Sequence, residues 1–170
     1  MAKQQGLREL LMDELRDVYD AEKQLTKALP KMAKGATSEE LREAIETHLQ
    51  ETEGHVERLE RVFEAMGETA RGKHCDGIAG IINEGAALLK STFDGAVLDA
   101  GLIAGAQRAE HYEIAAYTGL VSQARALKER EAVDLLQENL KQEKEALKKV
   151  ETISKRLLKK ATGNGRTARP

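Results

Sequence analysis

The sequence predicts an all-α fold: a four-helix bundle built as two antiparallel pairs, joined by one long crossover that contains a short helix. Three observations carry this prediction. Apolar residues recur at alternating steps of three and four through four long segments, the spacing that gives a helix one apolar face. Only 3% of the 170 residues are aromatic, and Ala, Leu, Glu and Lys are in excess, a composition that favours helix over sheet. The segments are separated by two short breaks and one long interval, as expected for two helical hairpins and a connection that runs the length of a bundle.

The first stripe is Leu11, Leu15, Val18, position 22, Leu25, Leu29 and Met32, which predicts a helix from about residue 5 to 33. Pro30 lies in its last turns, where it bends or tightens the end, and Gly35 stops it. Thr37-Ser38-Glu39-Glu40 has the form of a capping box. It opens a second helix with Leu41, Ile45, positions 48, 52 and 55, Leu59, Val62 and Met66, ended by Gly67. Residues 67–95 form the crossover. Gly67, Gly72 and Gly77 loosen its start, Ile78, Ile81, Ile82, Leu88 and Leu89 mark the short helix, and Phe93-Asp94-Gly95 reads as a turn. A third long helix runs from about 97 to 125 with Ile103, Ala106, positions 110 and 113, Tyr117 and Leu120. A fourth runs from about 129 to 159 with Val133, Leu136, Leu140, position 143, Leu147, Val150, Ile153 and Leu157. One domain spanning 1–160 is therefore expected, followed by a flexible tail at 161–170, which is polar and carries Gly163 and Gly165.

Composition excludes several functions. With 27 basic and 29 acidic residues and a net charge of -2, the chain lacks the basic field that binds nucleic acid. It has no apolar run long enough to span a membrane and no apolar signal-peptide core near Met1 to Leu10. A single cysteine, Cys75, rules out an internal disulfide and fits a reducing compartment, so a cytoplasmic location is expected.

The informative residues break the stripes. Position 22 is Glu22; positions 48, 52 and 55 are His48, Thr52 and His55, with Glu51 beside them; positions 110 and 113 are Glu110 and Glu113; position 143 is Glu143. In an antiparallel pair, residues at one height are symmetric about the connecting turn. Glu22 and Glu51 are symmetric about the turn at 35–38, and Glu143 is symmetric with Glu110 or Glu113 about the turn near 126–129. Each long helix is thus apolar above and below and polar at one common level. Carboxylates gathered in an apolar core must be neutralised by protons or cations. Two divalent ions would balance four carboxylates, and oxygen ligands with one or two imidazoles suit iron or manganese. The candidate metal ligands are Glu22, Glu51, His48, His55, Glu110, Glu113 and Glu143; whether His48 or His55 is the ligand on the second helix stays open.

Tyr19-Asp20-Ala21-Glu22-Lys23-Gln24-Leu25, His48-Leu49-Gln50-Glu51-Thr52, Glu57-Arg58-Leu59, Cys75, Gln107-Arg108-Ala109-Glu110-His111-Tyr112-Glu113-Ile114-Ala115 and the stretch from Leu135 to Lys144 together resemble the YciE/YciF-type ferritin-like stress proteins of bacteria. The likeness runs over about residues 5 to 157. It implies a ferritin-like four-helix bundle with a central dimetal carboxylate site. The usual ligand plan of that superfamily is one Glu on the first and third helices and Glu-x-x-His on the second and fourth. Glu22, Glu51, Glu110 and Glu143 match it. Gly54 stands where the second helix would carry His, with His55 one residue on, and Ala146 stands where the fourth would carry His. Glu113 would supply the missing ligand on that side. The resemblance further implies a homodimer and a role in stress.

The expected function is therefore that of a stress-response protein with a dinuclear Fe or Mn site acting in iron oxidation or in peroxide or oxygen detoxification. The rival is a metal-poor structural or interaction bundle that kept the fold and lost redox activity; a hollow iron-storage shell is a third reading. Among the remaining residues, Tyr19 and Tyr117 lie a turn from Glu22 and Glu113 and are expected to pack with their hydroxyls on polar partners. His111 is expected to face another side, Cys75 to be a buried thiol, Glu84 to cap one end of the bundle, and Asp99 to favour the N-terminal dipole of the third helix.

Overall fold

The computed structural model describes residues 6–163 and contains five helices: α1 (Leu7–Gly35), α2 (Glu39–Ala65), α3 (Asp76–Leu89), α4 (Gly95–Ala126) and α5 (Arg130–Gly163). Helix α5 continues through Gly163, three residues into the expected tail; residues 164–170 lie outside the described part. No strand occurs among the described residues. Helices α1 and α2 pack together, as do α4 and α5, and the two pairs meet through α2 with α5 and α1 with α4. The two hairpins therefore close into a four-sided bundle.

Two apolar clusters fill the ends. One joins Leu11 and Leu15 of α1, Leu59 and Phe63 of α2, Tyr117 and Leu120 of α4, and Leu136 of α5. The other joins Ala33, Leu41, Ile45, Ile103, Ile153 and Leu157. The N-terminal half of α1 thus lies beside the C-terminal halves of α2 and α4, and all neighbouring long helices are antiparallel. Helix α2 ends at the first cluster and α4 begins at the second, so the chain between them must travel the whole bundle. At about 1.5 Å per residue, the 14 residues of α3 cover only about 21 Å of the distance. The non-helical residues 68–75 supply the rest, at up to about 3.3 Å each.

That segment is pinned to α1. The Lys73 amide donates to the Arg16 carbonyl at 3.0 Å, the Lys73 ammonium meets Asp13 at 2.6 Å, and the Cys75 amide donates to Asp20 at 2.9 Å. Gly77 allows α3 to approach α4: a Cβ there would fall 2.6 Å from the Tyr112 ring. Cys75 is fully buried, as expected, with its Sγ 3.1 Å from the Tyr112 hydroxyl. Glu84 does not cap the bundle. It is exposed on α3 and pairs with Arg108 at 3.1 Å, because its position on the short helix faces solvent.

Both tight helix ends use a left-handed residue. Gly67 follows α2 at φ 72° and Lys128 follows α4 at φ 63°. In each, the next amide reaches back five residues, Glu68 to the Phe63 carbonyl at 2.9 Å and Glu129 to Ala124 at 3.0 Å, which satisfies carbonyls the helix leaves open.

The turn between α1 and α2 corrects one expectation. Ser38 is the N-cap of α2, but its side chain makes no capping hydrogen bond. Asp99 of α4 does the work instead. Its carboxylate accepts from the Thr37 amide at 2.8 Å, the Thr37 hydroxyl at 2.6 Å and the Ser38 amide at 2.8 Å, and it is 1% exposed. A carboxylate borrowed across the bundle satisfies the helix start and ties the α1–α2 turn to α4. Asp99→Ala removes the acceptor of two helix-start amides at a partly solvent-accessible turn, so a loss of about 1–2 kcal/mol is expected in denaturant unfolding. Lys128→Gly relieves a left-handed residue and should add about 0.5–1 kcal/mol in the same measurement.

Candidate metal centre

Between the two apolar clusters lies a polar layer, placed there because each long helix carries its break at the same height. Glu22, His55 and Glu143 are fully buried, Glu113 is 1% exposed and Glu110 is 3% exposed. Helix α1 supplies Glu22, α2 supplies His48 and His55, α4 supplies Glu110 and Glu113, and α5 supplies Glu143.

These side chains converge in two sets. Glu22, His55 and Glu143 each offer one donor atom within 4.8 Å of the others, and so do His48, Glu113 and Glu143. Glu143 belongs to both. His48 and His55 both face the layer, one in each set. Glu110 stands beside the second set, with Oε1 3.5 Å from His48 Nε2. Glu51 is part of neither: it is half-buried at the rim, with Oε2 3.4 Å from His48 Nδ1. It lies three residues after His48, toward the flank of α2, and steadies that imidazole from outside.

Most of the inward-facing atoms have nothing to bond. Glu22 Oε2, Glu110 Oε2, both oxygens of Glu113, both oxygens of Glu143 and His55 Nδ1 are buried without a hydrogen-bond partner. His55 Nδ1 lies 2.9 Å from Glu143 and 3.2 Å from Glu22, close but without hydrogen-bonding alignment. Buried polar atoms are nearly always satisfied. Seven orphans at one level, all of metal-ligand type, are the pattern of donors aimed at a cation, and four carboxylates with two imidazoles suit iron or manganese.

A second layer, made outside these sets, fixes the orientation of two of the donors. Arg58 donates to Asn139 Oδ1 and to Gln142 Oε1. A guanidinium only donates, so both amide oxygens must face it. His55 Nε2 lies 3.1 Å from the same Gln142 oxygen, so Nε2 carries a proton in either charge state and Nδ1 faces Glu22 and Glu143, protonated in the metal-free chain and a free lone pair once that proton leaves. Asn139 Nδ2 donates to the Tyr117 hydroxyl at 3.0 Å, and that hydroxyl donates to Glu22 Oε1. One arginine therefore sets both the tautomer of an imidazole and the proton direction at a carboxylate. Such support is what holds ligands at a metal site. Sequence reasoning missed Asn139 and Gln142. The available signal was Asn139, a polar residue one turn before Glu143 on the same inner stripe.

Other sequence candidates stand apart. Tyr19 does not reach Glu22; its hydroxyl donates to Glu60 at 2.8 Å. Tyr117 is the tyrosine in the layer. His111 is exposed.

Proton affinities record the crowding. Burial alone would depress His48, but Glu110, Glu51 and Glu143 raise it to about 9. His55, likewise depressed by burial, is raised to about 10 by Glu143 and Glu22. Burial, with neighbouring carboxylates, pushes Glu110 and Glu113 well above the usual range. Burial opposes the charge on Glu143 as well, yet His55 and His48 outweigh it and hold that carboxyl low.

The geometry has close relatives. The family model described as "Domain of unknown function (DUF892)" matches residues 6–162. The chain belongs to the DUF892 family. This DUF892 protein is 44% identical over 131 residues to Protein YciF of Escherichia coli (strain K12), across 76% of this chain and 79% of that one. The crystal structure of the E. coli stress protein YciF superposes with a TM-score of 0.89 at 37% identity, covering 92% of this chain and 99% of that one. YcfI of Rhodopseudomonas palustris superposes at 0.86 with 41% identity, covering 89% and 98%. A Xanthomonas campestris protein superposes at 0.70 with 26% identity, covering 92% and 99%. The fold is the ferritin-like bundle of this family.

The metal-free protein has a defined pH response. Four groups have raised folded pKa values, so their contribution to stability is complete below their unfolded values and is lost as pH rises through the folded ones. For Glu110 and Glu113 the loss begins above 4.5; for the imidazoles it runs from 6.5 to about 9 and 10. Glu143 acts oppositely, losing its contribution only as pH falls through its lowered value. The melting temperature of chelator-treated protein should therefore fall steadily from pH 6 to pH 9. A flat profile over that range contradicts the buried-proton picture.

Proposed function

We propose that this DUF892 protein holds two divalent metal ions, iron or manganese, in its carboxylate layer and uses them in a cell under stress to remove peroxide or to oxidise ferrous iron with oxygen. The observation that carries the reading is the set of seven orphaned donor atoms, six of them on residues of two triads that share Glu143 and the seventh on Glu110 beside them. Two ions bring enough positive charge to balance Glu22, Glu110, Glu113 and Glu143, of which Glu22 and Glu143 ion-pair with His55 and Glu110 with His48, and none with an arginine or lysine among the described residues. The stress context comes from E. coli YciF, which is described as a stress protein.

Bound iron or manganese would supply the electrons and the Lewis acidity. The chain's own part is positional. Glu143 would hold both ions, Glu22 with His55 one of them, and His48 with Glu113 the other. Tyr117 donates its hydroxyl hydrogen bond to Glu22 Oε1, and Arg58, through Gln142, turns His55 Nδ1 toward the metal position. The apolar clusters above and below exclude bulk water from the layer.

A second reading is favoured by one observation: YcfI, at 41% identity, is described as a candidate structural protein. In that reading the layer is neutralised by protons and the bundle serves by shape. Metal content separates the two. After anaerobic loading with Fe(II) or Mn(II) and desalting, mass spectrometry should find two ions per chain. Glu143→Ala should lose both, and Glu22→Ala should lose at least one, with circular dichroism confirming that each variant is folded. Unchanged stoichiometry in both variants removes the site, and a metal-free wild type establishes the structural reading.

A further inference from the structure

Beside the carboxylate layer lies a cavity of about 130 Å³. Its walls are Leu25 of α1, Ile45 of α2, Ala106 and Ala109 of α4, and Ala146 and Val150 of α5. Its polar lining is His48 and Glu110 on the side of the layer, and the half-buried Glu51 with the exposed Glu145 and Lys149 toward solvent. We infer that this cavity is a binding site for a small apolar organic molecule, of about the size of benzene or phenol, carrying at most one hydroxyl group.

Three features point to such an occupant. Protein interiors are packed so closely that few voids exceed a water molecule, whereas an apolar cavity of roughly 150 Å³ stays dry and accepts benzene. The void here is of that class and is walled almost wholly by hydrocarbon. It is also written into the chain: Ala106 and Ala146 occupy inner positions, and Ala44 adds a third small side chain from α2. A larger residue at any of the three would fill the space. Finally, Glu110, only 3% exposed and with its Oε2 lacking a hydrogen-bond partner, is among the residues that line the cavity. A hydroxyl on the occupant would find its partner there while the apolar body lies along Leu25, Ile45 and Val150.

A second, smaller apolar cavity of about 70 Å³ abuts the first. Leu25, Leu29, Ile45, Ala106 and Ala109 form the wall between them, and Ile81, Ile82 and Met32 close the far side. Leu29 lines both, so shortening it should join the two and admit a longer molecule.

The site goes beyond the metal proposal and does not need it, because its walls and its orphaned oxygen are present in the chain itself. The test uses methyl-labelled, metal-free full-length protein titrated with benzene and with phenol and read by NMR, with Mn(II) uptake of the same protein measured separately by mass spectrometry. Saturable shifts should appear in the methyl signals of Leu25, Ile45 and Val150 at millimolar concentrations or below, with phenol binding more tightly than benzene. Ala146→Leu should weaken both at least tenfold, and Leu29→Ala should gain binding of n-butylbenzene. Should Ala146→Leu fail to fold, Ala106→Val fills the same space with a smaller increment and should weaken benzene in the same direction. Non-saturable shifts, or affinity unchanged in a folded cavity-filling variant, overturn the inference. Binding without metal uptake keeps the cavity and removes the metal centre; metal uptake without binding does the reverse.

Discussion

Four carboxylates share one buried level of this bundle, and they cannot all be charged there without a cation among them. Everything else in the structure is arranged around that constraint. A lone buried carboxylate is already costly, and each like-charged neighbour adds to the cost. The metal-free chain meets it with protons, on Glu110 and Glu113 by raised affinity and on His48 and His55 as positive charge. In the proposed reading a pair of divalent ions would meet it with ligand bonds to the same atoms. Protons and metals would then compete for one set of lone pairs, and the fold must be firm enough to hold the layer in either state.

The firmness comes from above and below. Apolar clusters at each end fix the rotation of the four long helices, and that rotation decides which side chains point inward. The crossover adds a fifth helix against α1 and α4, pinned through Asp20 and Cys75, so the pair that carries Glu22, Glu110 and Glu113 is braced from outside. Asp99 closes the far end by tying α4 to the α1–α2 turn. The polar layer therefore sits between two packed ends and beside a braced helix pair, as a site of fixed geometry requires. Its supporting network is directional. Starting from a donor that cannot accept, Arg58, each following amide and hydroxyl has only one orientation open to it.

Much of this was legible in the chain. Periodicity placed all five helices to within a few residues, because a strong apolar stripe is a local property. The same stripes exposed Glu22, Glu110, Glu113 and Glu143, since a carboxylate at an inward step stands out against Leu and Ile. What depended on the rotation of one helix against another was not legible. Tyr19 is three residues before Glu22, about 300° around the helix, which turns it toward Glu60 of α2 rather than into the layer. His48 and His55 both lie on the inner stripe, and only the placement of α5 shows that each meets Glu143 from a different side. The cap of α2 was missed for a similar reason: Ser38 carries the expected local pattern, but Asp99, more than sixty residues away, offers the better acceptor. The cavity could not be read from the chain at all, because an alanine on an inner stripe looks like ordinary close packing until its neighbours are in place.

The most direct measurement is anomalous diffraction from crystals grown metal-free and then soaked anaerobically in Mn(II) or Fe(II), with data collected on both sides of the metal edge. The account predicts two anomalous peaks, one between Glu22, His55 and Glu143 and one between His48, Glu113 and Glu143, with Glu143 bonded to both. An anomalous map with no peak in the layer at full soak, while surface sites fill, would contradict it and would leave protons as the permanent answer to the buried charge.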